Sequence, residues 1–205
     1  MLGVCLRPER FSSEWEFVEI QFEKSVSYDP NWKYSGPRFG VHAPYYGSLT
    51  SPKLQKVDDA IKRIGEAAEV ARRLNADLLV AHAGFYSKQD PTEAMEALVK
   101  NCKEVMKNTN VPLGIETQPK QSQFGSLGEV LELAERVGVV PVINLPAIVA
   151  REGEVVLERV LRLVDKPYVH FDESVDLKEL AAALPQKYTL VAETVGAAEE
   201  MKELI

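Results

Sequence analysis

Six polar residues close short apolar runs along this chain: His42 in FGVHAP, His82 in LLVAHAG, Glu116 in LGIET, Asn144 in VPVINL, His170 in YVHFDES and Glu193 in LVAET. The chain has three histidines, and all of them are in this set. Imidazole nitrogens and carboxylate oxygens are the donors that a zinc-type cation takes. A carboxylate that ends an apolar run is costly to bury unless it meets an opposite charge or a cation. His42, His82 and Glu116 make a His2Glu set with one open position, an arrangement that brings the pKa of a bound water toward neutrality. Glu116 is also placed to share a second cation with His170 and Glu193. Asn144 is then either a weak neutral ligand or a hydrogen-bond partner of the ligands. Glu116 and Glu193 are the candidate catalytic carboxylates. The expected cofactor is Zn2+, one or two ions, with Mn2+ as the alternative.

Such residues act together only if the fold gathers them. Strand-like runs recur at Leu2–Leu6, Phe17–Phe22, Phe39–Ala43, Leu78–His82, Leu113–Thr117, Val140–Leu145, Tyr168–Phe171 and Tyr188–Glu193. Several are nearly continuous in apolar residues, as parallel strands buried on both faces require. Helical patterns separate the later runs: Leu54–Leu74, Pro91–Lys107, Ser126–Val137, Glu154–Val164, Leu177–Leu184 and Ala197–Ile205. In the first, Val57, Ile61, Ile64, Ala68 and Ala71 repeat at helical spacing. Asp90 before Pro91 is an N-cap signal, and Ser126 with Glu129 is a capping box. Eight strands alternating with helices predict an α/β fold, a small (β/α)8 TIM barrel, in a single domain over residues 1–205. Only RPERFSSEWE joins the first two strands, and a Tyr-, Pro- and Ser-rich segment joins the next two. About six helices are therefore expected, with those after strands one and two missing or vestigial. The flank they leave bare should expose apolar residues and would suit a homodimer. In this fold the site lies at the C-terminal ends of the strands, where all six polar residues fall.

A hydrophobic content of 45% and a charged content of 27% place the chain among globular proteins with a sizeable core. The net charge of −7 argues against coating nucleic acid through bulk charge, though not against gripping it locally. Charges in the loops after the strands are nearly balanced. No apolar stretch reaches membrane-spanning length, and MLGVCLRPER has too short an apolar core for a signal peptide. The expectation is a cytoplasmic protein without a membrane partner, in which Cys5 and Cys102 are buried thiols.

Several blocks resemble the endonuclease IV family of abasic-site DNA repair enzymes, within the xylose-isomerase-like barrels. They are HAPYYGSLTSP at 42–52, HAG at 82–84, IETQPKQSQFGSLGEVLEL at 115–133, VPVINLPAIVAREG at 140–153, VHFDES at 169–174 and the terminal AETVGAAEEMKELI. The IET…SQFG block is most similar to the archaeal branch. The resemblance implies a zinc cluster in which His42, His82 and Glu116 hold the first ion and Glu116, His170 and Glu193 the second. It also implies an aromatic contact to damaged DNA from Tyr45, and Tyr46, Lys120 and Arg151 are expected to contact substrate beside it. The chain departs from the family at the third ion. Asn144 replaces an aspartate, Ala147 and Val149 stand at histidine positions, and the Asp-x-His after strand seven is absent.

Three functions fit these residues. The first is a divergent metal-dependent phosphodiester or phosphate hydrolase with a reduced one- or two-metal site, acting on abasic-site DNA or a phosphorylated small molecule. The second is a metal-dependent sugar isomerase or epimerase that uses Glu116, Asn144, His170 and Glu193. The third is a non-catalytic barrel that binds or scaffolds. Outside the metal set, Ser51-Pro52 and the aromatic loop with Tyr28, Trp32 and Tyr34 are further candidates for substrate contact.

Overall fold

A computed structural model describes residues 1–28, 36–153 and 155–205. Its eight strands are β1 (Leu2–Leu6), β2 (Phe17–Gln21), β3 (Arg38–His42), β4 (Leu78–Ala81), β5 (Leu113–Glu116), β6 (Val140–Asn144), β7 (Tyr168–Phe171) and β8 (Thr189–Ala192). Each pairs in parallel with the next, and β8 pairs with β1, so the sheet closes on itself in chain order. Closure leaves no sheet edge and points all eight C-terminal ends to one mouth.

Seven α-helices are present among the described residues: α1 (Leu54–Arg73), α2 (Pro91–Asn108), α3 (Leu127–Val137), α4 (Leu145–Glu152), α5 (Leu157–Leu161), α6 (Leu177–Ala183) and α7 (Val195–Leu204). The cap signals in the sequence are realised. The Asp90 side chain accepts from Thr92 N–H at 2.8 Å, and Ser126 and Glu129 close a capping box at the start of α3. Seven is close to the expected number of about six, and α4 is the helix outside the expected set. α4 follows β6 without a loop, with Asn144 as its N-cap and Pro146 in its first turn. After β1 only a short 3-10 turn, Pro8–Arg10, stands where a helix would be.

Among the described residues, the flank beside β1 and β2 does not show the apolar surface expected of it. Trp15 and Phe22 are buried, Phe11, Val26 and Tyr28 pack against the same core, and no large apolar side chain in residues 1–28 is exposed. Lys202 of α7 lies over the Trp15 ring at 5.7 Å, and Arg73 of α1 lies over Tyr28 at 5.5 Å. Tyr28 is therefore a packing residue, while Trp32 and Tyr34 lie outside the described residues.

Two apolar cores result. The larger lies between sheet and helices. The smaller fills the barrel: Phe17, Leu78, Val80, Val142, Tyr168 and Val191. Side chains alternate along each strand, so Phe17, Glu19 and Gln21 of β2 share the inner face. Gly40 makes room there, since a Cβ on it would sit 2.7 Å from the Tyr168 hydroxyl. Above this layer the inward positions turn polar, which sets the site at the barrel mouth.

Candidate metal centre

One residue per strand from β3 to β8 reaches the mouth: His42, His82 just past β4, Glu116, Asn144, His170 and Glu193 just past β8. All six line one cavity of about 400 Å³, together with Cys5, Gln21 and Tyr45. Their placement follows from the fold, which brings the C-terminal ends of neighbouring strands to one rim.

Glu116 is the hub. Its Oε2 lies 2.5 Å from His82 Nε2 and 3.4 Å from His42 Nε2. Its Oε1 lies 2.6 Å from His170 Nδ1 and accepts from Asn144 Nδ2 at 2.9 Å. Gln118 Nε2 donates to Oε2 at 3.3 Å. The His42 and His82 rings meet edge to face, with centroids 5.0 Å apart. His42 Nδ1 lies 2.9 Å from the Ala43 carbonyl, so its proton is held there and Nε2 is the nitrogen turned to Glu116.

Burial opposes every charge in this cluster, and partners decide the outcome. Burial pushes the Glu116 carboxyl up, but His82 and His170 outweigh it and hold the group well below the usual carboxylate range. Burial likewise pulls His170 down, and Glu19 and Glu116 reverse the effect, leaving it well above an ordinary imidazole. His42 is also raised, its burial outweighed by Glu116. For His82 burial wins, and its pKa is lowered. Glu193 is raised because burial outweighs its contacts, although the residue is exposed at the rim.

The donors suit a divalent cation of zinc type. The ligand atoms of His42, His82 and Glu116 lie within 4.8 Å of one another, and those of Glu116, His170 and Glu193 do the same. A cation about 2.0–2.2 Å from each nitrogen or oxygen fits between donors at such separations. A third set on the same scale joins Glu19, His42 and His170. Glu116 belongs to the first two sets, one oxygen toward each.

Asn144 turns its amide nitrogen, not its oxygen, toward the carboxylates. Its Oδ1, the only atom through which it can bind a cation, accepts from Ala147 N–H at 2.9 Å and caps α4. Its amide nitrogen instead donates to Glu116 and, at 2.6 Å, to Glu193. The Arg151 side chain is engaged within the protein. Its side chain is 6% exposed, and it donates to the carbonyls of Gln118, Lys120 and Gln123. The Nη1 end of the guanidinium holds the loop between β5 and α3, and Nη2 faces Tyr86 and Glu129. Tyr45 and Tyr46 stand at the rim, 40% and 57% exposed, with Lys120 beside them on an adjoining cavity. The Tyr45 ring meets His82 edge-on at 4.9 Å, and its hydroxyl accepts from Gln123 Nε2 at 3.1 Å.

Sequence reasoning missed Glu19. It is completely buried inside the barrel, accepting from the Tyr168 hydroxyl and lying 3.2 Å from His170 Nε2. The signal was a lone charge within FVEIQ, an otherwise apolar strand. Cys5 sits beside it, its Sγ 3.7 Å from Glu19, and burial pushes its thiol well up. Cys102 is buried in the outer core and its thiol is pushed up to about 12. No helix among the described residues is long and apolar enough to cross a membrane.

The chain has counterparts among known proteins. A probable endonuclease 4 of Mycoplasmopsis pulmonis is 30% identical over 127 residues, covering 60% of this chain and 45% of that protein. An uncharacterized protein of Methanocaldococcus jannaschii, MJ0133, is 31% identical over 150 residues, 68% of this chain and 55% of that one. This chain thus spans about half the length of these curated relatives. Among solved structures, endonuclease IV from Thermus thermophilus superposes with a TM-score of 0.63 at 13% identity, covering 99% of this chain and 97% of that one. A D-tagatose 3-epimerase-like protein gives 0.74 at 13% identity, with 99% and 94% covered. SacUVDE gives 0.73 at 16% identity, with 94% and 80% covered. These likenesses show the fold. Residues 32–181 match the family described as xylose isomerase-like TIM barrel, and the chain belongs to that family.

Proposed function

We propose that this chain is a divalent-metal-dependent hydrolase of phosphate esters, of endonuclease IV type, with a site reduced to two metal positions. The observation that supports this is Glu116, which turns one carboxylate oxygen to His42 and His82 and the other to His170. A carboxylate shared in this way suits two neighbouring cations. Such ions, when bound, supply Lewis acidity to a phosphoryl oxygen and acidify water. The chain's own residues do the rest. Asn144 holds the Glu116 and Glu193 carboxylates in place through its two amide hydrogens. Glu193, exposed at the rim beside the cavity, is placed to take a proton from attacking water and return it to the leaving oxygen. Tyr45, Tyr46 and Lys120 present an aromatic and cationic edge for the sugar or base next to the phosphate.

The test is cleavage of a duplex carrying one abasic site, and of an aryl phosphodiester, by protein loaded with zinc or manganese. Cleavage that is abolished by chelator and by Glu116→Gln is expected. Loaded protein that cleaves neither substrate would overturn the hydrolase reading.

One observation favours a second reading. The cavity of about 400 Å³ has the scale of a single small ligand, and Glu116 and Glu193 face it together. This suits a sugar epimerase that shuttles a proton between two carboxylates. Solvent hydrogen exchange into a ketose would separate it from hydrolysis.

A further inference from the structure

Glu19 takes no part in that chemistry, yet it is the most deeply placed carboxylate of the cluster. It lies on the inner face of β2, one inward position below Gln21, with no exposed surface. A buried carboxylate needs donors, and three converge on it: the Tyr168 hydroxyl, His170 Nε2 at 3.2 Å and, more weakly, the Cys5 thiol at 3.7 Å. Gly40 on β3 leaves the space that the Tyr168 hydroxyl occupies. The pocket around Glu19 is therefore built from β1 and β3 on either side of its own strand, and from β7 across the barrel.

Its relation to His170 is directional. The His170 ring lies between two carboxylates, with Nδ1 2.6 Å from Glu116 Oε1 and Nε2 facing Glu19. An imidazole offers one nitrogen to a cation when its other nitrogen keeps the proton, and the partner of that proton fixes both tautomer and ring angle. We infer that Glu19 is a positioning residue for His170: it engages Nε2–H from inside the barrel, so that Nδ1 is the nitrogen presented to a divalent cation shared with Glu116 and Glu193. This inference rests on the metal reading of the cluster. It also gives the second ligand set an anionic support on the barrel side, where the neutral Asn144 supplies only hydrogen bonds on the other.

The test uses the full chain with isotope-labelled histidine and cadmium as the metal probe. In loaded protein, cadmium coupling is expected at His170 Nδ1, with a proton retained on Nε2. Glu19→Gln should weaken one of the two cadmium sites by roughly 10–100-fold and leave the other unchanged. Tyr168→Phe, which removes a second Glu19 donor and conserves shape, should weaken the same site by less. Coupling at His170 Nε2 would overturn the inference, because Glu19 would then be a ligand. Metal uptake that neither variant alters would overturn it too, while leaving the metal centre standing. A wild-type chain that takes up no cadmium or zinc would instead overturn the metal centre itself.

Discussion

The amide nitrogen of Asn144 lies 2.6 Å from Glu193 Oε1, while the amide oxygen of the same side chain caps α4. One residue thus ties the rim carboxylate to the start of a helix and bridges it to Glu116. Replacing Asn144 with Asp keeps the cap but removes both donors and adds a third negative charge. Without metal, Asn144→Asp should lose about 1–3 kcal/mol, the cost of leaving charged acceptors unpaired. With metal present the sign reverses, because a carboxylate beside Glu116 and Glu193 attracts cations. Zinc affinity should rise by about tenfold or more, which corresponds to roughly 1.4 kcal/mol. Calorimetric titration of metal-free protein, with melts before and after loading, checks both halves.

Glu116→Gln separates a shared ligand from a local one. In the metal-free chain it leaves His82 and His170 facing a neutral amide in a buried site. Breaking a buried pair of this kind costs about 3–5 kcal/mol. Because Glu116 belongs to both ligand sets, both metal affinities should fall, each beyond the roughly 10–100-fold that loss of a supporting hydrogen bond costs. His82→Ala removes a donor from one set only and should weaken one site. Metal stoichiometry by elemental analysis distinguishes the two variants. Equal losses from both would mean that Glu116 is not shared.

Much of this architecture was legible in the sequence for a physical reason. Strands buried on both faces must read as apolar runs, so a polar residue at the end of one stands out, and closure in chain order brings those ends together. His42, His82, Glu116, His170 and Glu193 stand out in this way, each at the end of its run. The helix α4 does not, because LPAIVA continues the apolar run of β6 and Pro146 reads as a breaker. Asn144 followed by a proline in the first turn was the overlooked cap signal. Glu19 does not stand out, because an alternating strand does not say which face is inward. Arg151 reads as a surface cation, since the three carbonyls that hold it belong to a loop about 30 residues earlier.

That Arg151 contact gives a prediction opposite to a substrate role. Arg151→Met should lose about 1–3 kcal/mol, because the carbonyls of Gln118, Lys120 and Gln123 lose their shared donor. The Tyr86 hydroxyl, pushed up to about 12 by burial and by Glu129, belongs to the same strut and should not compensate. Arg151→Lys should recover less than half, since an ammonium placed at the carbonyls in the position of Nη1 leaves Tyr86 and Glu129 without the Nη2 contact. Metal affinity should be unchanged in both variants. Urea unfolding beside metal titration checks this, and a loss of substrate binding without a loss of stability would contradict it.

The stability of the metal-free chain and the gain that zinc adds to it should run in opposite directions with pH. In the metal-free chain His170 is raised: burial pulls it down, and Glu19 with Glu116 overcomes that. The stability it contributes is complete below the unfolded histidine value of about 6.5 and is lost as pH climbs through the folded one. Glu116 and Glu19 are lowered despite burial, Glu116 by His82 and His170 and Glu19 chiefly by His170. Their contribution is present above the unfolded carboxylate value of about 4.3 and is lost as pH falls through the folded values. Metal-free protein should therefore be most stable between about pH 4.3 and 6.5, and should weaken on the alkaline side. Zinc competes with protons for the same nitrogens, so its affinity rises with pH. Saturating zinc should add little to the melting temperature near pH 5 but roughly 5–10 °C above neutrality, for ligand near a hundred times its dissociation constant. Melts across this range, with zinc and with chelator, give the two curves. A zinc-induced shift that shrinks as pH rises would mean that the histidines are not the ligands.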